Sequence, residues 1–316
     1  MSKPWNTNDI AINGAISLEP KLFLFSQDRF GYGDRMTTDA RIDRVQLGEL
    51  TFDVTISGPD DGTPVVLLHG FPESSAAWRL VTPRLVDAGM RVIAPNQRGY
   101  SRDARPQAIE DYRADRLVED VVGLLDAYGL DSAHLVGHDW GAAVAWEVAG
   151  HHPDRLRSLT AVSVPHPAAF GWALREDEDQ QRRSSYINLL RQEGKAEAVL
   201  LEDNSRRLRA MFGDGVDPEL VEEHVRLLSE PGALAAALHW YRAMVQESEN
   251  LPPVRVPTTY VWSTADPALG PAAAKRCVEF VDAPYRFVVL DGASHWIPEE
   301  NPDALTDAIL AHATVG

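Results

Sequence analysis

The stretch Ser132-Ala-His-Leu-Val-Gly-His-Asp-Trp-Gly-Ala-Ala-Val-Ala-Trp-Glu-Val-Ala149 decides the fold. Ser132 to Val136 reads as a short buried strand, and Ala142 to Ala149 as a helix of small residues packed closely behind it. Between them Gly137 and Gly141 bracket Asp139 in the Gly-x-nucleophile-x-Gly spacing of a strand-to-helix elbow. Small flanking residues are required because the chain turns so sharply that the middle residue is held in a strained backbone conformation. An aspartate stands where serine is the usual nucleophile. Taken alone, Gly-x-Asp-x-Gly is as readily an ordinary turn, so the surrounding chain has to decide.

The identity of the central residue restricts the chemistry. A carboxylate attacking an acyl group gives a mixed anhydride, which gains little over the starting ester. A carboxylate attacking a saturated carbon gives an alkyl ester that activated water can hydrolyse, dividing one hard displacement into two easier steps. The expected substrate therefore carries an electrophilic sp3 carbon with a leaving group, as an epoxide or an alkyl halide does.

Outward from the elbow, helices and strands alternate. Arg41 to Leu47 and Leu50 to Ser57 alternate like the two strands of a hairpin around Gly48-Glu49. Thr63 to Leu68 and Arg91 to Pro95 are continuous apolar runs, typical of strands buried on both faces. Asp111 to Tyr128 has helical spacing at Leu117, Val121, Leu124 and Leu125. Leu156 to Val164, Thr258 to Trp262 and Tyr285 to Leu290 read as further strands, with helices over Pro271 to Val281 and Pro302 to Ala313. This order predicts a mostly parallel sheet with helices on both faces. From 166 to about 250 strand signals vanish, and Gln180 to Gln192, Ala196 to Phe212, Pro218 to Ser229 and Gly232 to Val245 are candidate helices. An all-helical insertion at that point would lie over the carboxyl ends of the sheet, where open α/β folds place their sites. The resulting division is an N-terminal arm over 1–40, a core over 41–165 and 251–316, and a helical cap over 166–250.

A nucleophile needs a base, and the base an orienting acid. Downstream of Asp139 stand Asp266, in Trp262-Ser-Thr-Ala-Asp-Pro267, and His295, in Asp291-Gly-Ala-Ser-His-Trp296, each just past a core strand. The order nucleophile, acid, histidine is that of the α/β-hydrolase arrangement. Separately, each has a plainer reading: His295 as a packing histidine, Asp266-Pro267 as a turn. Upstream, His69-Gly70-Phe71-Pro72 follows a buried strand and is suited to aim a backbone N–H at the site. When water attacks an ester on Asp139, charge develops on its carboxyl oxygen, and the N–H groups of Phe71 and Trp140 are the natural donors.

A net charge of −17 argues against nucleic-acid and anionic-membrane partners, which call for a basic surface. The single cysteine, Cys277, cannot close an internal disulfide and reads as a packed thiol. No apolar run is long enough to cross a membrane, and no adequate secretory h-region follows the N-terminus, so the cytoplasm is the expected compartment. Monomer and homodimer stay open. His69 and His138 lie on different loops without ligand spacing, so no metal is expected.

With these stretches assembled, residues 41 to 312 resemble an α/β-hydrolase of the epoxide hydrolase family. The carrying motifs are His69-Gly-Phe-Pro-Glu-Ser74, Gln97-Arg-Gly-Tyr-Ser101, Gly137-His-Asp-Trp-Gly141, His239-Trp-Tyr-Arg242 and Ser294-His-Trp-Ile-Pro298. The resemblance implies an epoxide substrate, no cofactor, and two cap tyrosines whose phenols donate to the epoxide oxygen. Tyr241 matches the second by motif and Tyr186 the first by spacing; amphipathic packing is the plainer reading of both. It also implies that His69, Phe71, Pro72 and Trp140 line the reacting end of the site. His239 departs from the asparagine often found beside the second tyrosine. Haloalkane dehalogenases share the fold, nucleophile and base, so they are the rival enzymatic reading. They usually add a second halide donor; Phe71 occupies the place of the expected asparagine, leaving Trp172 near the start of the cap as the substitute, with packing as its plainer reading. A catalytically idle binding protein on the same fold is the third reading.

Overall fold

The computed structural model describes residues 40–244 and 251–313. The expected arm over 1–40 lies outside the described residues except for its last position.

Alternating apolar side chains along each strand feed two packed layers. In β3 (Thr63–Leu68), Val65 and Leu67 face one layer while Val66 and Leu68 face the other, and all four are buried. β5 (Ala133–His138), β6 (Leu156–Val162) and β7 (Thr258–Ser263) are buried almost throughout, as strands covered on both faces must be. With β1 (Arg41–Leu47), β2 (Leu50–Ser57), β4 (Met90–Pro95) and β8 (Tyr285–Leu290), they form an eight-stranded sheet in the order β1-β2-β4-β3-β5-β6-β7-β8. β2 pairs antiparallel with β1 and β4, and every other neighbour is parallel.

One face carries α2 (Ala114–Ala127) and α3 (Trp140–His151), whose apolar residues join Val66, Leu68, Leu135 and Leu159 in one core. The other carries α1 (Thr82–Asp87) and α12 (Pro302–Ala313), with Leu85, Leu305 and Ile309 packed on Val65, Leu67 and Val136.

Between β6 and β7 the described residues are helical: α4 (Pro167–Glu176), α5 (Glu178–Arg183), α6 (Ile187–Leu190), α7 (Lys195–Ala210), α8 (Pro218–Leu228) and α9 (Ala233–Ala243). This differs in detail from the sequence expectation. Helix α4 is additional, capped by His166 with Pro167 in its first turn. The helix expected over Gln180–Gln192 is broken at Ser184–Tyr186 by a 3-10 turn, and that break carries Tyr186. α7 is interrupted at Glu202–Ser205, where Asp203, Asn204 and Ser205 adopt positive φ; Asp, Asn and Ser favour such local conformations over helix interiors. α10 (Pro271–Arg276) gives way to a 3-10 turn at Cys277–Phe280, and α11 (Ile297–Glu300) follows the last strand.

The insert is tied to the sheet at the Gln97–Ser101 loop. Trp240 Nε1 donates to the Arg98 carbonyl at 2.9 Å, while the Arg98 guanidinium grips Asp120 at 2.7 and 2.8 Å. Gly99, at φ +91°, lies so close to α9 that an added Cβ would stand 3.1 Å from the Ala236 carbonyl carbon. α9 is thereby seated with Tyr241 facing the elbow.

Candidate active site

Asp139 sits at φ 50° and ψ −119°, the strained conformation its position between strand and helix demands. The flanking glycines are explained by contact. A Cβ on Gly137 would fall 2.1 Å from the Gly141 carbonyl oxygen, and one on Gly141 would fall 2.1 Å from that of Leu68. Gly70 backs directly onto the aspartate, because a Cβ there would lie 2.4 Å from Asp139 Cβ.

Around this carboxylate the fold assembles groups from four segments. The Phe71 N–H donates to Asp139 Oδ1 at 2.9 Å. His295, past β8, holds Nε2 3.6 Å from Asp139 Oδ2 and Nδ1 2.8 Å from Asp266 Oδ2. Asp266 Oδ1 accepts from the N–H groups of Ala268 and Leu269 at 2.7 and 3.0 Å, and its residue is 1% exposed. Burial opposes the Asp266 charge, but His295 and these N–H donors prevail and hold the carboxyl below its usual range. For His295 burial again opposes the charge, and Asp266 with Asp139 overcomes it, raising the imidazole well above its ordinary value. The ring is thus charged while both carboxylates are.

Across from Asp139 stand the two phenols. Tyr241, 4% exposed, packs edge-to-face on Phe71 at 5.4 Å and on Trp140 at 5.1 Å. Tyr186 stacks edge-on against Tyr241 at 6.5 Å and is 37% exposed. Burial, reinforced by the neighbouring phenol and Asp139, drives the Tyr241 hydroxyl well above 10; burial with Asp139 and Asp266 does the same for Tyr186. Both keep their protons at neutral pH.

Other sequence candidates have quieter roles. His69 uses both ring nitrogens on backbone, with Nδ1 bonded to the Gly70 carbonyl at 2.9 Å and Nε2 accepting from Gln97 N–H at 3.2 Å. Burial depresses it to about 4, so it is a neutral brace for the Phe71 loop. Pro72 follows Phe71 across a cis peptide bond. Trp172, expected as a substitute halide donor, lies under the Arg276 guanidinium at 4.1 Å in a cation–π contact. His239 contacts the Arg242 guanidinium at 3.2 Å. Cys277 is fully buried and accepts from the His166 N–H, with burial pushing its thiol up to about 12. Among the described residues no group of His, Cys, Asp and Glu is arranged to hold a metal, and no helix is long and apolar enough to cross a membrane.

Sequence reasoning missed a polar layer beneath the site. Glu73 Oε2 accepts from Gly70 N–H and lies 2.9 Å from His138 Nδ1. His138 Nε2 reaches the His295 carbonyl at 2.9 Å, and Ser163 Oγ donates to the same carbonyl at 3.2 Å. The available signal was charge inside the otherwise buried stretches His69–Ser74 and Ala133–Gly141.

Beside the elbow, a cavity of about 450 Å³ opens between α3 and the insert. Trp140, Val144, Val164, Pro165, Ile187 and Trp240 supply its apolar lining, and Trp140 is the residue it shares with the catalytic group. Its volume falls in the range of small-molecule sites.

Comparison with known proteins agrees with this geometry. Residues 63–183 match the family model described as alpha/beta hydrolase fold. The chain is 36% identical to the AB hydrolase superfamily protein YfhM of Bacillus subtilis, over 85% of this chain and 96% of that one. It is 35% identical to epoxide hydrolase A of Mycobacterium tuberculosis, over 82% of this chain and 93% of the relative. The crystal structure of epoxide hydrolase A from Mycobacterium thermoresistibile superposes with a TM-score of 0.77 at 31% identity, covering 86% of this chain and 98% of that one. By these similarities the chain belongs to the epoxide hydrolase family of the α/β-hydrolase fold.

Proposed function

We propose that this protein hydrolyses epoxides to vicinal diols through an alkyl ester on Asp139. The observation that carries the reading is the pairing of an aspartate, backed by His295 and Asp266, with two protonated phenols across from it, Tyr241 buried and Tyr186 beside it. An alkoxide leaves poorly unless a donor meets it, and phenols with raised pKa values supply that donor without being lost as phenolates first.

Asp139 attacks one ring carbon from the side opposite the C–O bond. That bond breaks toward oxygen, and a proton from Tyr241 or Tyr186 converts the alkoxide to a hydroxyl. Ester formation neutralises Asp139, which removes one of the two anions that keep His295 charged. The imidazolium then gives up its proton more readily, through solvent to the phenolate, and becomes a base only after the substrate is attached. It takes a proton from water, whose oxygen attacks the Asp139 carboxyl carbon. The Phe71 N–H stabilises the oxyanion, a donor typically worth about 3 kcal/mol. Collapse passes the proton of the new carboxyl group to the departing alkoxide, which releases the diol, restores the carboxylate and leaves the imidazolium charged as at the start.

In this reading 41–165 and 251–316 form the catalytic core and 166–250 is a cap that brings the phenols. The cavity beside Trp140 receives an apolar substituent on the epoxide. The test is turnover of epibromohydrin in heavy-oxygen water. Bromopropanediol without early bromide release, with label entering the Asp139 carboxyl on single turnover, is the expected result. Prompt bromide release with the epoxide intact would transfer the chemistry to the dehalogenase reading.

A further inference from the structure

Glu73 and Glu299 are both buried, at 0% and 7% exposure, and they come from different loops. Glu73 closes the turn after β3 that carries Phe71, with its N–H bonded to the Gly70 carbonyl at 3.1 Å. Glu299 lies in α11, four positions after His295. Their carboxyl groups face each other closely enough to interact. Among the described residues Glu73 Oε1 and both oxygens of Glu299 are buried without a hydrogen-bond partner. Two carboxylates facing each other out of water repel, and neither has a cation on this side to relieve it. A proton between them removes the repulsion and supplies the missing donor.

We propose that Glu299 is held as a neutral carboxylic acid whose O–H donates to Glu73, and that this pair fixes the loop of Phe71 to the loop of His295. Glu73 then bears the single negative charge and turns its other oxygen to Gly70 N–H and His138. Through His138 Nε2 the same unit reaches the carbonyl of His295. Three parts of the catalytic geometry, the oxyanion donor, the elbow and the base, share one buried connection. The surrounding titratable groups are His69 after β3, His138 at the end of β5, His224 of α8 and Glu300 of α11. Burial keeps His69 and His224 near 4 and therefore neutral, so neither competes for the charge of Glu73. Burial and then Glu73 push Glu299 well above the usual carboxyl range, in keeping with the shared proton. Glu299 is a positioning residue; it touches no reacting atom.

The functional half of this inference rests on the assignment of Asp139 and His295 above, whereas the protonation half does not. The experiment compares wild type with Glu299→Gln, which keeps a donor facing Glu73, and with Glu299→Leu, which keeps none. Infrared difference spectra should contain the carbonyl stretch of a buried protonated carboxyl in wild type and lack it in both variants. A raised folded pKa means wild-type stability declines as pH rises above the unfolded carboxyl value. The melting temperature of Glu299→Gln should therefore gain on wild type from roughly pH 5 to pH 9. Its kcat should stay within about threefold of wild type, while Glu299→Leu loses about tenfold or more in kcat with KM little changed. Absence of the infrared band, a melting difference flat with pH, or equal loss of kcat in both variants overturns the proposal. If no epoxide is turned over at all, the function fails, while the infrared and melting results still decide the shared proton.

Discussion

Replacing Tyr241 and Tyr186 by phenylalanine, singly and together, isolates the donor role of the phenols. A hydrogen bond to a charged group contributes about 1.5–3 kcal/mol, and about 1.4 kcal/mol is a factor of ten, so Tyr241→Phe should slow ring opening roughly 10- to 150-fold. Tyr241 is already fixed between Phe71 and Trp140, so little ordering is spent when substrate binds. Tyr186 is 37% exposed and has one ring neighbour, so part of its gain is offset by ordering the side chain. Its loss should fall nearer 1–2 kcal/mol, about 5- to 30-fold. With one phenol left, the oxygen still meets a donor. With neither, the alkoxide develops in a desolvated site without one, so the double variant should lose at least the product of the single effects, from about 50-fold to several thousandfold. Single-turnover quench with enzyme in excess measures the alkylation step directly, and decay of the preformed ester measures the second step. The first rate should fall and the second stay nearly unchanged, with thermal melts showing that each variant is folded. A double variant whose ring opening stays within about tenfold of wild type would refute the donor assignment.

Gly70→Ala places a methyl group 2.4 Å from Asp139 Cβ, so the nucleophile must shift. Displacement approaching 1 Å at a reacting group costs about hundredfold in kcat/KM, measurable by steady-state kinetics with a melting curve as control. Asp266→Asn removes the main attraction that raises His295, so the acid limb of the kcat–pH profile should move to lower pH. The maximum should fall about 10²-fold or more as the imidazole loses its orienting partner. The same carboxyl is held below its usual value, so its stabilisation is present above about pH 4 and is lost as pH falls through the folded pKa. Acid unfolding followed by circular dichroism should accordingly be steeper below about pH 4 in wild type than in Asp266→Asn.

Those elements whose identity depends on local pattern were legible in the sequence. Thr63–Leu68 and Ala133–His138 are buried runs between turn signals, and their burial on both faces follows from their composition. Asp139 was legible because Gly137 and Gly141 answer a steric demand that few other residues meet. The insert was harder. Gly171 weakens the helical pattern of α4, while the end of α5 and the turn carrying Tyr186 have no proline or glycine to announce them. That both ring nitrogens of His69 are taken by Gly70 and Gln97 was not legible, because those neighbours meet it only in space. Glu73, His138 and Glu299 are far apart in sequence, and their contact exists only once β3, β5 and α11 are brought to one rim. Long-range pairing of charges carries no periodicity for a single sequence to display.

The central claim is a covalent ester on Asp139, and one measurement addresses it directly. His295→Gln leaves the carboxylate and both phenols in place but removes the base that hydrolyses the ester. Incubated with styrene oxide and analysed by intact-protein and peptide mass spectrometry, this variant should gain the mass of one epoxide, located on the peptide containing Asp139. An unmodified His295→Gln protein, under conditions where wild type forms diol, would contradict the account and require water to open the epoxide directly.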